Sequence, residues 1–214
     1  MYNLFIVDDH PMMREGLAMI LESQSDFKVN GMAGSAEEAM DALEKTSPDL
    51  LIVDISLPGM SGLELVKHFN AVRPEMKVLV ISRHDENLYA ERAIRSGAKG
   101  YVMKVEARKV IIEAIRKVLS GGIYISDAIN ERLIQSMIPG RRVVGLSPLE
   151  VLSDRELEIF EMTGRGLKSG EIADRLHISA KTVESYRTRI KDKLGLNSAA
   201  ELMKHAVQWV DAAE

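Results

Sequence analysis

Five residues with reactive side chains stand directly after short apolar runs: Asp8 and Asp9 after residues 4–7, Asp54 after 50–53, Ser82 after 78–81 and Lys104 after 100–103. Three carboxylates gathered in one crevice repel one another and raise each other's pKa values unless a cation sits among them. Oxygen ligands around a hard divalent ion that keeps several waters point to Mg²⁺. A carboxylate beside such an ion, with a lysine and a hydroxyl alongside, has the parts to accept a phosphoryl group. The ion and the lysine neutralise the transferring oxygens, the hydroxyl donates to them, and the carboxylate attacks. Each residue alone has a plainer reading. Asp9, before His10-Pro11, can cap a helix whose first residue is Pro11, and a lysine after a strand is commonly a solvated charge. Five such residues at the ends of four strands of one sheet are hard to account for that way.

The elements that must position these groups are legible as a change of rhythm along the chain. Residues 4–7, 27–32, 50–53, 78–81 and 100–103 read as strands, several apolar at consecutive positions as strands buried on both faces require. Amphipathic stretches at 12–21, after the Ser35/Glu38 capping pair, at 63–69, 88–94 and 110–119 read as helices. Five strands alternating with five helices predict a doubly wound α/β domain with a five-stranded parallel sheet, over residues 1–122. In such a sheet, functional groups collect beyond the carboxyl ends of the strands, where strand order reverses. A linker with one helix (126–137) is expected over 123–148, broken by Pro139-Gly140-Arg141-Arg142. From 149 to 214 only helical signals remain, which predicts a small all-α domain. Ser153-Asp154-Arg155-Glu156 opens a helix to about 163, with Gly164 and Gly166 closing it. Helices over 169–176, from Ser179 to Leu194 before Gly195, and over 199–210 come next, the last with Leu202, Ala206 and Trp209 on one side.

Composition bounds the function. The chain has 214 residues, 46% of them hydrophobic and 28% charged, with a net charge of −4, which excludes a disordered or fibrous chain. The absence of Cys removes disulfides, thiolate metal sites and thiol catalysis. The first residues lack a basic segment and meet Asp8 and Asp9 after a short apolar run, unlike a signal peptide, and no stretch has the length of a membrane span. A cytoplasmic protein is expected.

Residues 1–120 resemble response-regulator receiver domains, with a flavodoxin-like fold. The motifs are Ile6-Val7-Asp8-Asp9-His10, Asp54-Ile55-Ser56-Leu57-Pro58-Gly59-Met60-Ser61-Gly62, Val80-Ile81-Ser82 and Gly97-Ala98-Lys99-Gly100-Tyr101-Val102-Met103-Lys104. The resemblance implies Asp54 as phosphoacceptor, and Asp8, Asp9, Asp54 and the Ser56 backbone carbonyl as Mg²⁺ ligands. It further implies Ser82 and Tyr101 as the switch pair, with Lys104 on the phosphoryl oxygens. Arg83 departs from the small residue frequent after the switch hydroxyl, so a side chain able to gate Asp54 stands there, and Val105 replaces a frequent Pro.

The tail carries a second pattern. Residues 171–186 read as helix, tight turn, helix. Residues 147–214 hold 10 basic against 12 acidic side chains, yet 179–193 hold five basic against two acidic, a basic stripe on one helix. Together with Leu152-Ser153-Asp154-Arg155-Glu156, Gly170-Glu171-Ile172-Ala173 and Ile178 through Leu194, this resembles the LuxR-type helix-turn-helix domain. With the receiver it identifies the chain as a member of the NarL/FixJ class. The resemblance places the helix from Ser179 in the major groove of DNA. Glu184, Ser185 and Thr188 become candidates for base edges, and Lys181, Arg187, Arg189 and Lys193 for phosphates, with Thr182 and Tyr186 beside them. Glu184 has the alternative of holding Arg187 or Thr188 in place. Leu202 and Trp209 stand where a dimer contact in the DNA-bound state is implied, or simply in the core.

The function expected is that of a transcription factor, not an enzyme, phosphorylated on Asp54 by a sensor histidine kinase. Phosphorylation would then control dimerisation and binding to a two-fold operator, with RNA polymerase a further partner. A phosphorylation-independent DNA binder is the first rival. A Mg²⁺-dependent aspartate-nucleophile phosphatase of the haloacid dehalogenase type is the remote one. That chemistry wants an Asp two residues after the nucleophile, where this chain has Ser56.

Overall fold

The computed structural model describes residues 1–136 and 151–211, in two compact units, residues 1–133 and 134–214. The linker segment at 139–148 lies outside the described residues. In the first unit, strands β1 (Tyr2–Val7), β2 (Phe27–Ala33), β3 (Leu50–Val53), β4 (Val78–Ser82) and β5 (Gly100–Met103) form one sheet. Its order is β2-β1-β3-β4-β5 and every pairing is parallel, as the expected α/β fold requires. The order reverses between β1 and β3, so the crevice opens beyond Val7 and Val53, which are register partners. β3 is buried at all four positions, and its LLIV sequence reads as it does because helices cover both faces.

The helices are α1 (Pro11–Glu22), α2 (Ala36–Leu43), α3 (Gly62–Val72), α4 (Glu86–Ser96), α5 (Arg108–Leu119) and α6 (Asp127–Ser136). At α3 and α4, side-chain caps set the helix starts. Ser61 and Glu64 form a full capping box at α3, and Asp85 accepts from the Asn87 amide at α4. At α1 the N-cap is His10, not Asp9, with Pro11 at the first turn as expected. Asp9 is thereby left for the crevice. Leu4, Ile6, Ile52, Leu79 and Ile81 of the sheet pack with Leu17, Leu21, Ile111, Ile115 and Val118 of α1 and α5.

The second unit holds α7 (Asp154–Gly164), α8 (Ser169–Leu176), α9 (Ala180–Leu194) and α10 (Ala199–Asp211). Ser153 and Glu156 make the expected capping box, and Ser179 and Gly195 cap α9 as expected, Gly195 at φ 66°. His177, at φ 51°, makes the turn between α8 and α9. Gly164 ends α7 as expected, and because a Cβ on it would lie 2.4 Å from the Ala206 carbonyl oxygen it also permits the close approach of α7 and α10. The buried stripe of α10 is Leu202, Ala206 and Val210, while Trp209 is half-buried with its ring edge-on to Phe160 at 5.6 Å. Leu202 is thus a core residue.

Gly62 holds the loop that carries Asp54. Its amide donates to the Ile55 carbonyl at 2.8 Å, and a Cβ there would stand 1.8 Å from the Asp54 carbonyl oxygen. Gly62→Ala is expected to lower stability by about 1–3 kcal/mol, as overpacking against backbone does. Urea unfolding followed by circular dichroism measures it, and an unchanged midpoint would mean that the loop relaxes freely.

Candidate functional site

The sheet delivers four of the five strand-end residues into one place. The Asp54 amide donates to the Val7 carbonyl at 2.8 Å and the Lys104 amide to the Ser82 carbonyl at 2.7 Å, so both residues extend the ladder one step past the strands. Lys104 Nζ lies 2.6 Å from Asp8 Oδ2 and 2.6 Å from Asp54 Oδ2, with all three side chains at most 5% exposed. Asp54 Oδ1 accepts from the Ile55 amide at 2.7 Å, and Asp8 Oδ1 from the His10 amide at 2.9 Å. Asp9 completes the cluster. Carboxylate oxygens of Asp8, Asp9 and Asp54 and a ring nitrogen of His10 lie within 4.8 Å of one another. Ile6, Ile52, Ile81 and Ile111 line the space beneath Asp8, Asp54 and Lys104.

Electrostatics says what this cluster lacks. Burial raises the Asp9 carboxyl above its ordinary range. The His10 ring pulls it down, while the Asp54 and Asp8 carboxylates push it further up. One lysine serves two carboxylates and leaves the third short of positive charge, so a donor set of three carboxylates fits a hard divalent cation. His10 is not free to join as a ligand: Nδ1 bonds Asp9 Oδ1 and Nε2 lies 3.1 Å from Arg83 Nη2.

The hydroxyl partner is also present. Ser82 is fully buried at the end of β4, and its Oγ has no hydrogen-bond partner among the described residues. Tyr101 is buried and turned inward, donating to the His84 carbonyl at 2.7 Å. His84, which sequence reasoning passed over, bonds Ser56 Oγ through Nε2 at 2.9 Å and stacks on Tyr89 with centroids 4.4 Å apart. The signal available was its place two residues past Ser82, opposite a serine two past Asp54. Ser56 therefore offers a hydroxyl bonded to His84 where the phosphatase reading needs a carboxylic acid.

On α9, Val183 and Ile190 face inward. Lys181, Glu184, Ser185, Thr188, Arg189 and Lys193 are exposed, and Thr182 and Tyr186 half-buried, with the Arg189 guanidinium over the Tyr186 ring at 5.6 Å. Arg187 differs from its expected phosphate role. Its guanidinium bonds Thr163 Oγ1 through Nε (3.3 Å) and Nη2 (3.2 Å), and the Leu167 carbonyl through Nη2 (3.1 Å). Nη1 reaches Ser169 Oγ at 2.6 Å and Glu184 Oε1 at 3.3 Å. All five N–H donors are thus spent inside the domain, and Arg187 ties α9 to α7 and α8. Glu184, also bonded to the Ser169 hydroxyl, holds it there. Lys193 Nζ pairs with Glu156 at 2.7 Å and with the Val151 carbonyl at 3.2 Å.

The same two units match known families. Residues 4–116 match the response regulator receiver domain, and residues 150–206 the bacterial regulatory proteins of the luxR family. The chain is 39% identical over 205 residues to the transcriptional activator protein ExaE of Pseudomonas putida, covering 96% of this chain and 95% of that protein. It is 35% identical over 209 residues to the oxygen regulatory protein NreC of Staphylococcus aureus, covering 96% of each. Among solved structures, a LuxR-family two-component response regulator from Aurantimonas sp. SI85-9A1 aligns with TM-score 0.59 and 30% identity over 63% of this chain and 96% of that one. RcsB of Salmonella enterica serovar Typhimurium, bound to promoter rprA in the presence of BeF3⁻, shares the fold at TM-score 0.63 and 24% identity, over 96% and 98% of the two chains.

Two outcomes are expected from the charges. Folding raises the Asp9 pKa, so the ionised group destabilises the fold. That effect is absent below the unfolded value of 3.8 and grows as pH rises through the folded value. Asp9→Asn should therefore raise the melting temperature by about 2–4 °C at pH 7 and not at pH 3. Excess Mg²⁺ should stabilise the wild type and leave the variant unmoved; equal melting curves for the two proteins would remove the charge argument. In the second unit, burial raises Glu156, but hydrogen bonds from Lys193 and from the Ser153 amide and hydroxyl outweigh it and lower the group below its ordinary 4.5. Stability from the Lys193 pair is present above 4.5 and lost as pH falls through the folded value. Lys193→Met is expected to cost about 0.5–1 kcal/mol at pH 7, and thermal melts of the two proteins should converge in acid.

Proposed function

The chain belongs to the response regulators of the NarL/FixJ class, as a DNA-binding regulator of a two-component system, and from that premise we propose that Asp54 is its phosphoacceptor. The observation that carries the proposal is the Ser82 hydroxyl, fully buried and unpartnered among the described residues at the rim of a cluster where Lys104 already bridges Asp8 and Asp54. Buried hydroxyls are almost always satisfied, and an oxygen of a phosphoryl group on Asp54 is the acceptor this one lacks. Asp54 Oδ forms the new P–O bond as the P–N bond of a sensor kinase's phosphohistidine breaks. The electron pair leaves with the imidazole, which takes up a proton. Lys104 then meets the phosphoryl oxygens in place of the carboxylate oxygen it now holds.

Asp8, Asp9, Asp54 and the Ser56 carbonyl would hold Mg²⁺, which supplies charge neutralisation of the transferring oxygens. Ser82 moving toward the group draws on the loop that ends in His84, whose carbonyl holds the Tyr101 hydroxyl. The added charge, about −1.5 to −2, and three acceptor oxygens can shift a two-state loop. That shift would favour a homodimer on a two-fold operator. Lys181, Ser185 and Thr188, along the middle of the exposed face of α9, would meet base edges. Arg189, Lys193 and Tyr186 would meet phosphates, and Thr182 the rim, while Arg187 and Glu184 position the helix. The receiver would span residues 1–122 and the DNA-binding domain 149–214, acting in the cytoplasm, with contact to RNA polymerase part of the same reading. Among the described residues no helix is long and apolar enough to cross a membrane.

The test is intact mass after incubation with Mg²⁺ and acetyl phosphate, on wild type and Asp54→Ala. One phosphoryl gain in the wild type alone is expected, together with tighter binding to duplex DNA selected from a random pool. A gain in both proteins would displace Asp54. No gain in either would leave a phosphorylation-independent DNA binder.

A further inference from the structure

The crevice faces an electrostatic problem that Lys104 does not solve. A phosphodonor arrives as an anion, and the buried lysine together with the divalent ion the carboxylates would hold only balances Asp8, Asp9 and Asp54, leaving no net attraction at the mouth. Arg83 stands directly after Ser82 and is exposed. Its Nη2 lies 3.1 Å from His10 Nε2, a contact between segments 73 residues apart. An arginine can only donate, so Nε2 accepts, and the proton of the neutral ring sits on Nδ1, which donates to Asp9 Oδ1. The result is an unbroken file from solvent to the acidic cluster: guanidinium, imidazole, carboxylate. Among the described residues Arg83 makes no other hydrogen bond or ion pair, so four of its five N–H groups remain available.

We propose that His10 fixes the Arg83 guanidinium at the mouth of the acidic crevice as a binding group for the phosphoryl oxygens of the incoming donor. The planar fork suits two phosphoryl oxygens at once. An exposed cation at the mouth also supplies the attraction for an incoming anion that the balanced crevice lacks. Arg83 is then a donor-binding residue, and His10 a positioning residue acting through it. This rests on Asp54 as phosphoacceptor, because the donor must arrive at Asp54 for Arg83 to meet it.

The experiment tracks phosphorylation by intact mass, with Mg²⁺ and acetyl phosphate over a range of donor concentrations, on full-length wild type, Arg83→Ala, Arg83→Lys, His10→Ala and the Arg83→Ala/His10→Ala double variant. The initial rate per unit donor is expected to fall about tenfold in Arg83→Ala, the loss of one charge-assisted contact. Arg83→Lys should recover part of it. His10→Ala should fall less, and should add nothing once Arg83 is gone. Wild-type rates should decline with ionic strength more steeply than those of Arg83→Ala. In the absence of divalent ions, side-chain nitrogen NMR should find neutral His10 protonated on Nδ1 in the wild type. Wild-type or faster phosphorylation of Arg83→Ala would overturn the proposal, faster rates marking Arg83 as a steric gate. Multiplying effects of the two substitutions, or a neutral His10 protonated on Nε2, would overturn the positioning role. If the wild type gains no phosphoryl group at all, it is the Asp54 reading that fails, and the His10 tautomer still reports on the contact with Arg83.

Discussion

Lys104 holds two buried carboxylates at once, at 2.6 Å each, and the receiver unit is organised around that contact. Removing three ionised groups from water is costly, and attraction repays it only when geometry is tight and the remaining lone pairs are satisfied. Both conditions are met by the ends of parallel strands. Backbone bonds carry the ladder one residue past Val7, Val53 and Met103, which locks Asp54 and Lys104 in register. An apolar floor of isoleucines keeps the dielectric low, so the attraction is strong and any missing charge is felt. Asp9, raised first by burial and further by the Asp54 and Asp8 carboxylates, belongs to a cluster of three carboxylates that one lysine cannot neutralise.

From this cluster two lines of contact lead outward, and they differ in kind. Ser82 reaches the loop after β4, where the His84 carbonyl holds Tyr101 and the His84 ring joins Ser56 to Tyr89. That line is buried, so a small change at one end has few ways to dissipate. Asp9 reaches solvent through His10 and Arg83. The first line suits transmission of a state and the second suits selection of what enters.

How much of this was legible depended on whether a residue's role was set by its own strand or by a partner far away in the chain. Asp8, Asp9, Asp54, Ser82 and Lys104 could be read because short apolar runs mark buried parallel strands, and the residues just past such strands converge at the reversal of order. The sheet, the helices and the caps at Ser153 and Ser179 were local in the same sense. His10–Arg83 and Ser56–His84 join residues 73 and 28 apart, and nothing in spacing announces them. Gly164 was legible as the end of α7, but its second constraint, the Ala206 carbonyl, belongs to a distant helix, α10. Trp209, half-buried against Phe160, keeps to the side of α10 expected for it, and Val210 adds to the buried stripe.

Arg187 is the sharpest case, because charge pattern and geometry disagree about it. A count of basic residues along α9 treats every cation as a candidate for phosphate, yet a cation acts on a ligand only with donors it has left. Arg187 spends all five on Thr163, Leu167, Ser169 and Glu184. Its role is therefore rigidity, holding α9 against α7 and α8. Arg83 shows the converse in the receiver unit: one donor anchored, four uncommitted, and an exposed position. Two arginines of equal formal charge thus divide into a strut and a ligand group by the same accounting of hydrogen bonds.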